Sequence, residues 1–296
     1  RKFGAKVEEC TEKLEAVCEK LHGTEIFFAG KSVGATEQAV LTAVSASGKT
    51  RIYNCAKEPE IIWLCRFLKK MGASIQGEGT EEILIEGGKI IQGADMQVPP
   101  DRIVAGTYLC AAAATRGRIE IQNPPQGELT AFLEVYRKMG GQYEWNSGKL
   151  VADGSRVRFP VSMTETAAYP GFPTDLQSLL MAVLATIPGK SCILESVFED
   201  RFKITGELNR MGAEIRTEGR KAWIRGTSDL QGGYLQAQEL RGGAALVVAA
   251  LAARGESIVE GYSFICRGYE DIVQDISDLG GKIKKDTGMT TYEYIQ

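Results

Sequence analysis

The chain has 296 residues, 44% of them apolar and 25% charged, and a formal net charge of −3. These are ordinary values for a globular protein, and the length suits two domains. Without a Lys/Arg block the charge argues against nucleic acid as the main partner, and no stretch approaches the ~20 apolar residues of a membrane span.

The chain opens with RKFGAKV, which reads as the last turn of a helix, a glycine and a strand. The phrase returns as LKKMGASI (68–75), YRKMGGQY (136–143), LNRMGAEI (208–215) and ISDLGGKI (276–283). Its first glycines, Gly4, Gly72, Gly140, Gly212 and Gly280, are spaced by 68, 68, 72 and 68 residues, so the sequence is an internal repeat. Each glycine suits a helix C-cap, where positive φ favours a residue without Cβ. A second marker, Gly48, Gly117, Gly189 and Gly255, follows an Ala-rich apolar stretch and precedes a β-branched run: TRIYN, RIEIQ, SCILE and ESIVE. One unit therefore reads helix, Gly, strand, helix, Gly, strand. The stretches LTAVSA, GTYLCAAAA, LQSLLMAVLA and AALVVAALAA predict helices buried on most sides. The first helix of a unit is expected before Gly4, and Arg1 is no translation start, so the chain is expected to begin mid-unit, as a fragment.

Seven Cys without a C-x-x-C fit a reducing compartment and mostly buried thiols. The single His, His22, lies in LHGT and is expected to be exposed. So little His nearly excludes His-based metal sites and Ser–His or Cys–His triads. Acid–base work must fall to carboxylates, Lys, Tyr or Cys.

Two kinds of loop recur in the repeat. The first precedes the Ala-rich helix: KSVGAT (31–36), PPDRIVAG (99–106), PGFPTDLQ (170–177) and QELRGGAA (238–245), with Gly34, Asp101, Asp175 and Arg241 at equivalent places. The second precedes the other helix: KEPEI (57–61), NPPQGEL (123–129), FEDRF (198–202) and CRGYEDI (266–272). Both end at helix N-termini, which hold anions through free N–H groups and a partial positive charge. Equivalent helices point the same way, so these ends are predicted to converge on one face carrying Arg201, Arg241 and Arg267. In AAYPGFPTDLQ (167–177), Thr174 and Gln177 read as a T-x-x-Q capping box with Asp175 in the first turn. Asp175 is then either a first-turn acid or a rigidly held general base, and the stiff loop with arginines at matching places favours the base. Arg267 has a surface alternative, pairing with Glu270 or Asp271, as Arg241 has with Glu239. Gly242–Gly243 after Arg241 suggest close approach of a ligand. Pro59 reads as the first residue of a helix. Trp63 and Trp223 fit core or strand packing, and 286–296 reads as a final strand or an end segment.

KSVGATEQ, AKEPEI, PPDRIVAGTYLCAAAATRG, AYPGFPTDLQ, VFEDRF, ELNRMGA, ELRGGAALVVA and RGYEDI together resemble the UDP-N-acetylglucosamine enolpyruvyl transferases, in family order along almost the whole chain. PGFPTD and LRGGAALV separate them from the sister family acting on shikimate 3-phosphate. The resemblance implies an α/β fold, the inverse α/β barrel of repeated βαβαββ-like units, in two domains. Here the first would be incomplete (1–96) and the second nearly complete (97–296). It implies transfer of the enolpyruvyl group of phosphoenolpyruvate to the 3′-hydroxyl of UDP-N-acetylglucosamine with release of phosphate, the first committed step of peptidoglycan synthesis, in the cytoplasm. No metal or cofactor is implied, and the partners are small molecules rather than nucleic acid or membrane. Carried over by residue, Asp175 matches the acid that takes the sugar hydroxyl proton, and Arg241 and Arg267 match arginines at phosphoenolpyruvate. Ser32, Val33 and Gly34 match the loop at the UDP phosphates; Thr174, Val197, Phe198 and Arg201 match the sugar pocket. The family's first unit and half of its second have no counterpart, and with them a Lys–Asn pair and the loop with a reactive Cys. An inactive fragment or a UDP-sugar-binding remnant is therefore the alternative reading, and the shikimate transferase a weaker one.

Overall fold

The computed structural model describes residues 1–89 and 91–286 and the strand at 292–295. The chain forms two compact units: Arg1–Pro99 with the tripeptide Ala168–Pro170, and Pro100–Ala167 with Gly171–Gln296.

In the first unit, β1 (Lys6–Glu9) and β2 (Leu14–Val17) form an antiparallel hairpin that is almost wholly exposed. There follow β3 (Glu25–Phe27), α1 (Val33–Ser45), β4 (Gly48–Tyr53), α2 (Pro59–Lys70), β5 (Ser74–Gln76) and β6 (Glu82–Gly87). Their sheet has the order β3-β4-β6-β5, with β3 and β4 parallel and the other pairs antiparallel. A small core fills the space between the sheet and two helices: Val40 and Ala43 from α1, Ile61 and Cys65 from α2, Ile52, Ile83 and Ile85 from the sheet. Pro59 opens α2 as its spacing predicts, because the first helical N–H has no partner to lose.

The second unit contains α3 (Arg102–Thr115), β7 (Arg118–Gln122), α4 (Thr130–Lys138), β8 (Gln142–Asn146) and β9 (Lys149–Asp153). Next come β10 (Thr164–Glu165), a 3-10 turn (Thr174–Leu176), α5 (Gln177–Ala185), β11 (Gly189–Leu194), α6 (Thr205–Arg210), β12 (Glu214–Glu218) and β13 (Lys221–Gly226). The last part is β14 (Tyr234–Gln236), α7 (Leu240–Ala252), β15 (Ser257–Glu260), α8 (Tyr262–Ile265), α9 (Ile272–Asp278), β16 (Ile283–Lys285) and β17 (Tyr292–Ile295). Sheets β10-β11-β13-β12 and β14-β15-β17-β16 repeat the order of the first unit's sheet, and β7-β9-β8 has three strands. The four-stranded repeats are thus βαβαββ, as the resemblance implies. The sheets are open and separate; among the described residues none closes into a barrel. The expected final strand is β17, while 287–291 and 296 lie outside the described residues.

The core of this unit is α3, α5 and α7 packed on one another. Every residue of α5 is buried, which a stretch of Leu, Met, Val and Ala without charge requires. Small residues let the helices close up: a Cβ on Gly106 of α3 would lie 2.6 Å from Leu176. Gly242 and Gly243 serve the same end. A Cβ at Gly242 would lie 2.6 Å from both Ile204 and the Glu239 carboxylate, and one at Gly243 would lie 2.7 Å from Ile265, so packing alone requires glycine at both. At the far ends of the helices, the half-buried Arg116 donates to the carbonyls of Ala113, Ala114 and Thr186. It joins the C-termini of α3 and α5, where free carbonyls favour a cation.

The first marker glycines all have positive φ, from +90° to +102°; Gly72, Gly140, Gly212 and Gly280 follow helix ends, whereas Gly4 follows a turn. At the second marker Gly48, Gly189 and Gly255 are left-handed, but in the Ala-rich α3 the left-handed residue is Arg116, one place before Gly117. Trp63 is half-buried on α2 under Arg66. Trp223 corrects its expectation in part: it lies in β13 but on the solvent side, 48% exposed.

Candidate active site

Each Ala-rich helix starts with its own arrangement of side chains. Asp101 caps α3 through bonds from the backbone N–H of Ile103 (2.6 Å) and Val104 (3.1 Å). Glu239 caps α7, accepting from the N–H of Arg241 (2.9 Å) and Gly242. The Glu239 carboxylate is therefore taken by the helix, and the Arg241 guanidinium is left for another acid.

That acid is Asp175. Arg241 donates to Asp175 Oδ2 from Nη2 (3.2 Å) and Nε (3.4 Å), and Arg201 donates to Oδ1 from Nη2. One carboxylate thus lies between two arginines, one from a loop and one from the first turn of α7, 26 and 66 residues further along the chain. The arginine side chains are largely buried and the carboxylate is half-exposed. Burial opposes the charge of Arg241, but Asp175, then Tyr269 and Asp101, outweigh it and raise its pKa. Tyr269 is itself buried and its hydroxyl is shared with Thr107 at 2.7 Å. Burial pushes the pKa of Tyr269 up.

Arg201 Nε and Arg241 Nη1 are buried and meet no hydrogen-bond partner among the described residues. Arg241 also shares a side-chain hydrogen bond with Tyr269, and its Nη1 lies toward Gly268.

The capping-box expectation for Thr174 and Gln177 is corrected. Thr174 is the first residue of the 3-10 turn, preceded by Pro173, and makes no cap. Its hydroxyl donates instead to Glu195 Oε2 at 2.9 Å. Gln177 is fully buried, with its side-chain nitrogen unpartnered. Asp175 is held by the arginines rather than by a helix cap.

Val197 and Phe198 are exposed, at 39% and 49%. Their backbone N–H groups donate to Glu195 Oε1 at 2.9 and 3.0 Å, and Arg201 stacks over the Phe198 ring at 4.9 Å. Arg267 is exposed and makes neither of the expected pairs; the Asp271 carboxylate instead caps α9 by accepting from Gln274 N at 2.9 Å. It is Tyr269, two residues on, that lies beside Arg241.

Ser32, Val33 and Gly34 belong to the first unit. Ser32 caps α1, accepting from Ala35 N at 3.3 Å. A Cβ on Gly34 would meet nothing within 4 Å, so the first turn of α1 is open to a ligand. Lys31 beside it is paired with Glu81 at 2.9 Å, as is Lys57. These two lysines lower the pKa of Glu81 to about 2.

Comparison with known proteins gives this geometry a context. The profile of the EPSP synthase (3-phosphoshikimate 1-carboxyvinyltransferase) family matches residues 1–276. UDP-N-acetylglucosamine 1-carboxyvinyltransferase 2 of Carboxydothermus hydrogenoformans is 44% identical over 96% of this chain and 68% of its own length. The chain belongs to the UDP-N-acetylglucosamine 1-carboxyvinyltransferase family. A second relative in the family, from Caldanaerobacter subterraneus, is 42% identical over 96% of this chain and 68% of its own. Another, from Symbiobacterium thermophilum, is also 42% identical, over 96% and 64%. The chain thus spans 64 to 68% of the length of these relatives. The enolpyruvyl transferase NikO of Streptomyces tendae has the same fold, with a TM-score of 0.83 at 23% identity over 94% of this chain and 69% of that one. EPSP synthase from Acinetobacter baumannii superimposes less closely, with a TM-score of 0.69 at 19% identity over 94% and 68%.

Among the residues singled out from sequence, the second unit brings together Thr174, Asp175, Val197, Phe198, Arg201 and Arg241. Sequence reasoning missed Glu195 and Tyr269. Tyr269 sits in the RGYEDI loop that was read for its arginine. Glu195 had a signal in the repeat itself, developed below. Among the described residues no group of three or more His, Cys, Asp or Glu is placed to hold a metal ion, and no helix is long and apolar enough to cross a membrane.

Proposed function

We propose that this protein transfers the enolpyruvyl group of phosphoenolpyruvate to the 3′-hydroxyl of UDP-N-acetylglucosamine and releases phosphate. The observation that carries the reading is Asp175 clasped between the largely buried Arg201 and Arg241. Both substrates are anions, and both bring the oxygens that such donors need. Family membership supports the sugar nucleotide over shikimate 3-phosphate as the acceptor.

In this reading the arginines exchange one anion for another. Without substrate they neutralise Asp175. When the carboxylate or phosphate of phosphoenolpyruvate takes up their donors, Asp175 is released to accept the proton of the sugar hydroxyl. The sugar oxygen then attacks C2 of phosphoenolpyruvate as C3 is protonated. Loss of phosphate from C2 and of a proton from C3 restores the double bond and leaves an enolpyruvyl ether. Fixed guanidinium charge beside the reacting atoms stabilises the anionic tetrahedral intermediate. The open N-terminus of α1, with Ser32, Val33 and Gly34, is assigned to the UDP phosphates, and the exposed Val197 and Phe198 to the sugar. Arg267, exposed and without an ion pair among the described residues, is assigned to phosphoenolpyruvate. The first unit is read as part of the first transferase domain and the second as the second domain, acting in the cytoplasm in peptidoglycan synthesis.

The test is phosphate release with phosphoenolpyruvate and UDP-N-acetylglucosamine together and singly. Release that requires both, and that Asp175→Asn abolishes, supports the reading. Binding of UDP-N-acetylglucosamine without release under any condition favours a sugar-nucleotide-binding remnant, and release with shikimate 3-phosphate instead overturns the choice of acceptor.

A further inference from the structure

In repeat register, the residue that follows the strand after the second marker glycine is Asn54, Asn123, Glu195 and Gly261 in the four units. Asn54, Asn123 and Gly261 are left-handed, with φ of +57°, +47° and +86°. Asn and Gly are the residues that tolerate this turn. Glu195 departs from the pattern: it takes no positive φ, and it is the one unit's residue that follows the strand beside the Asp175 turn.

Its side chain shows why the departure matters. Glu195 is 1% exposed, so its carboxylate is deep in the unit. Burying a carboxylate costs several kcal/mol unless it is fully hydrogen-bonded. Here it is: Oε2 accepts from the Thr174 hydroxyl at 2.9 Å, and Oε1 accepts from the backbone N–H of Val197 and Phe198 at 2.9 and 3.0 Å. Thr174 is the neighbour of Asp175, and Val197–Phe198 lead into Arg201. One buried group therefore ties together the two segments that carry the acid and its arginine. The bond from Ser196 N to Thr166 Oγ1, at 2.9 Å, secures the same bend from the other side.

We propose that Glu195 is a positioning residue of the transferase site, a clasp that fixes the Asp175 turn against the Arg201 loop. It touches neither Asp175 nor Arg201 and acts through Thr174 and two backbone amides. The inference rests on the functional reading above. The role is geometric, so it does not need the negative charge. In Glu195→Gln the amide oxygen keeps both backbone N–H groups, and the amide nitrogen donates to the Thr174 hydroxyl, which turns to accept.

The experiment compares Glu195→Ala, Glu195→Gln and Thr174→Val with the wild-type chain, all shown to be folded by circular dichroism. Two readouts are taken: steady-state phosphate release, and amide hydrogen exchange at Val197 and Phe198. Glu195→Ala is expected to lower kcat about 100-fold, the effect of ångström-scale misplacement of reacting groups. Its Val197 and Phe198 amides exchange at least ~10-fold faster. Glu195→Gln retains kcat to within about threefold, and Thr174→Val falls between. The Thr174→Val change costs nothing further in the Glu195→Ala background, because the two act as one unit. A folded Glu195→Ala chain with wild-type kcat, or with wild-type protection at both amides, overturns the proposal. So does Glu195→Gln as impaired as Glu195→Ala, which would assign the role to charge. If the wild-type chain releases no phosphate, the reaction assigned above fails, and the exchange readout alone decides on the clasp. Should Glu195→Ala not fold, Thr174→Val carries the test: unchanged kcat and unchanged exchange in that variant overturn the proposal.

Discussion

Leu41 of α1 stands as far before its marker glycine as Cys110, Ala182 and Val248 stand before theirs in α3, α5 and α7. Leu41 is 44% exposed, whereas Cys110, Ala182 and Val248 are at most 1% exposed. The four helices have similar composition, so composition does not decide how much of a helix is buried. The number of like helices does. In the second unit three Ala-rich helices cover one another, and each can be apolar all round. In the first, one such helix lies on a sheet, and only Thr36, Ala39, Val40, Ala43 and Val44 are buried. The same contrast holds for chemistry. The second unit gathers an acid and two arginines from distant loops, whereas the first offers one capped helix start.

The largest effect that sharpens this contrast is on catalysis. Asp175→Asn keeps the shape of the cluster and removes the base, and kcat for phosphate release should fall by about 10²–10⁴. Ser32→Ala in the first unit should act on KM for the sugar nucleotide instead. Equal effects on kcat from both would break the division of labour.

Next in size is stability. Val248→Asp puts a carboxylate among three packed helices at a cost of several kcal/mol, and chemical denaturation should show loss of the cooperative transition. Leu41→Gln at the equivalent place should shift stability by no more than about 0.5 kcal/mol.

Thiol reactivity probes both units at once. Cys10 and Cys266 are exposed and should react first with a disulfide reagent at pH 8, ahead of the half-buried Cys18. Burial pushes Cys55 up to about 11 and Cys65 up to about 12 in the first unit. In the second it raises Cys110, and Cys192 less. All four should react only after denaturant is added. Rapid labelling of Cys55 and Cys65 alone would show that the first unit's core opens independently.

Smaller effects concern caps and surface pairs. Loss of the Ser32 cap should cost about 1 kcal/mol in thermal unfolding. Glu81, held down to about 2 by Lys31 and Lys57, adds stability that is complete above the ordinary carboxylate pKa. That contribution is lost as the pH falls through about 2. Because the pair is exposed, Glu81→Gln should flatten the acid limb only slightly, and less at high salt.

The repeat period, the unit order, the helix starts and the arginine-bearing loops were all legible in the residues, because each depends on local preferences: glycine at positive φ, proline at a first turn, apolar runs of helix length. Asp175 and Arg241 were picked out by repeat register and Arg201 by its place beside the second loop, and the family resemblance gave all three their roles. That Arg201 and Arg241 share a face was expected too, but their direct pairing with Asp175 was not, since it depends on how the side chains meet in space. Thr174 shows the limit. Its T-x-x-Q spacing reads as a capping box, but a buried carboxylate 21 residues away competes for its hydroxyl and wins. Gly242–Gly243 read as room for a ligand, and packing against Ile204 and Ile265 is a demand on them that the residues did not show. Local rules settled what each segment can form. Only packing settled which donor met which acceptor, because a side chain between two partners goes to the one that would otherwise be buried unpaired.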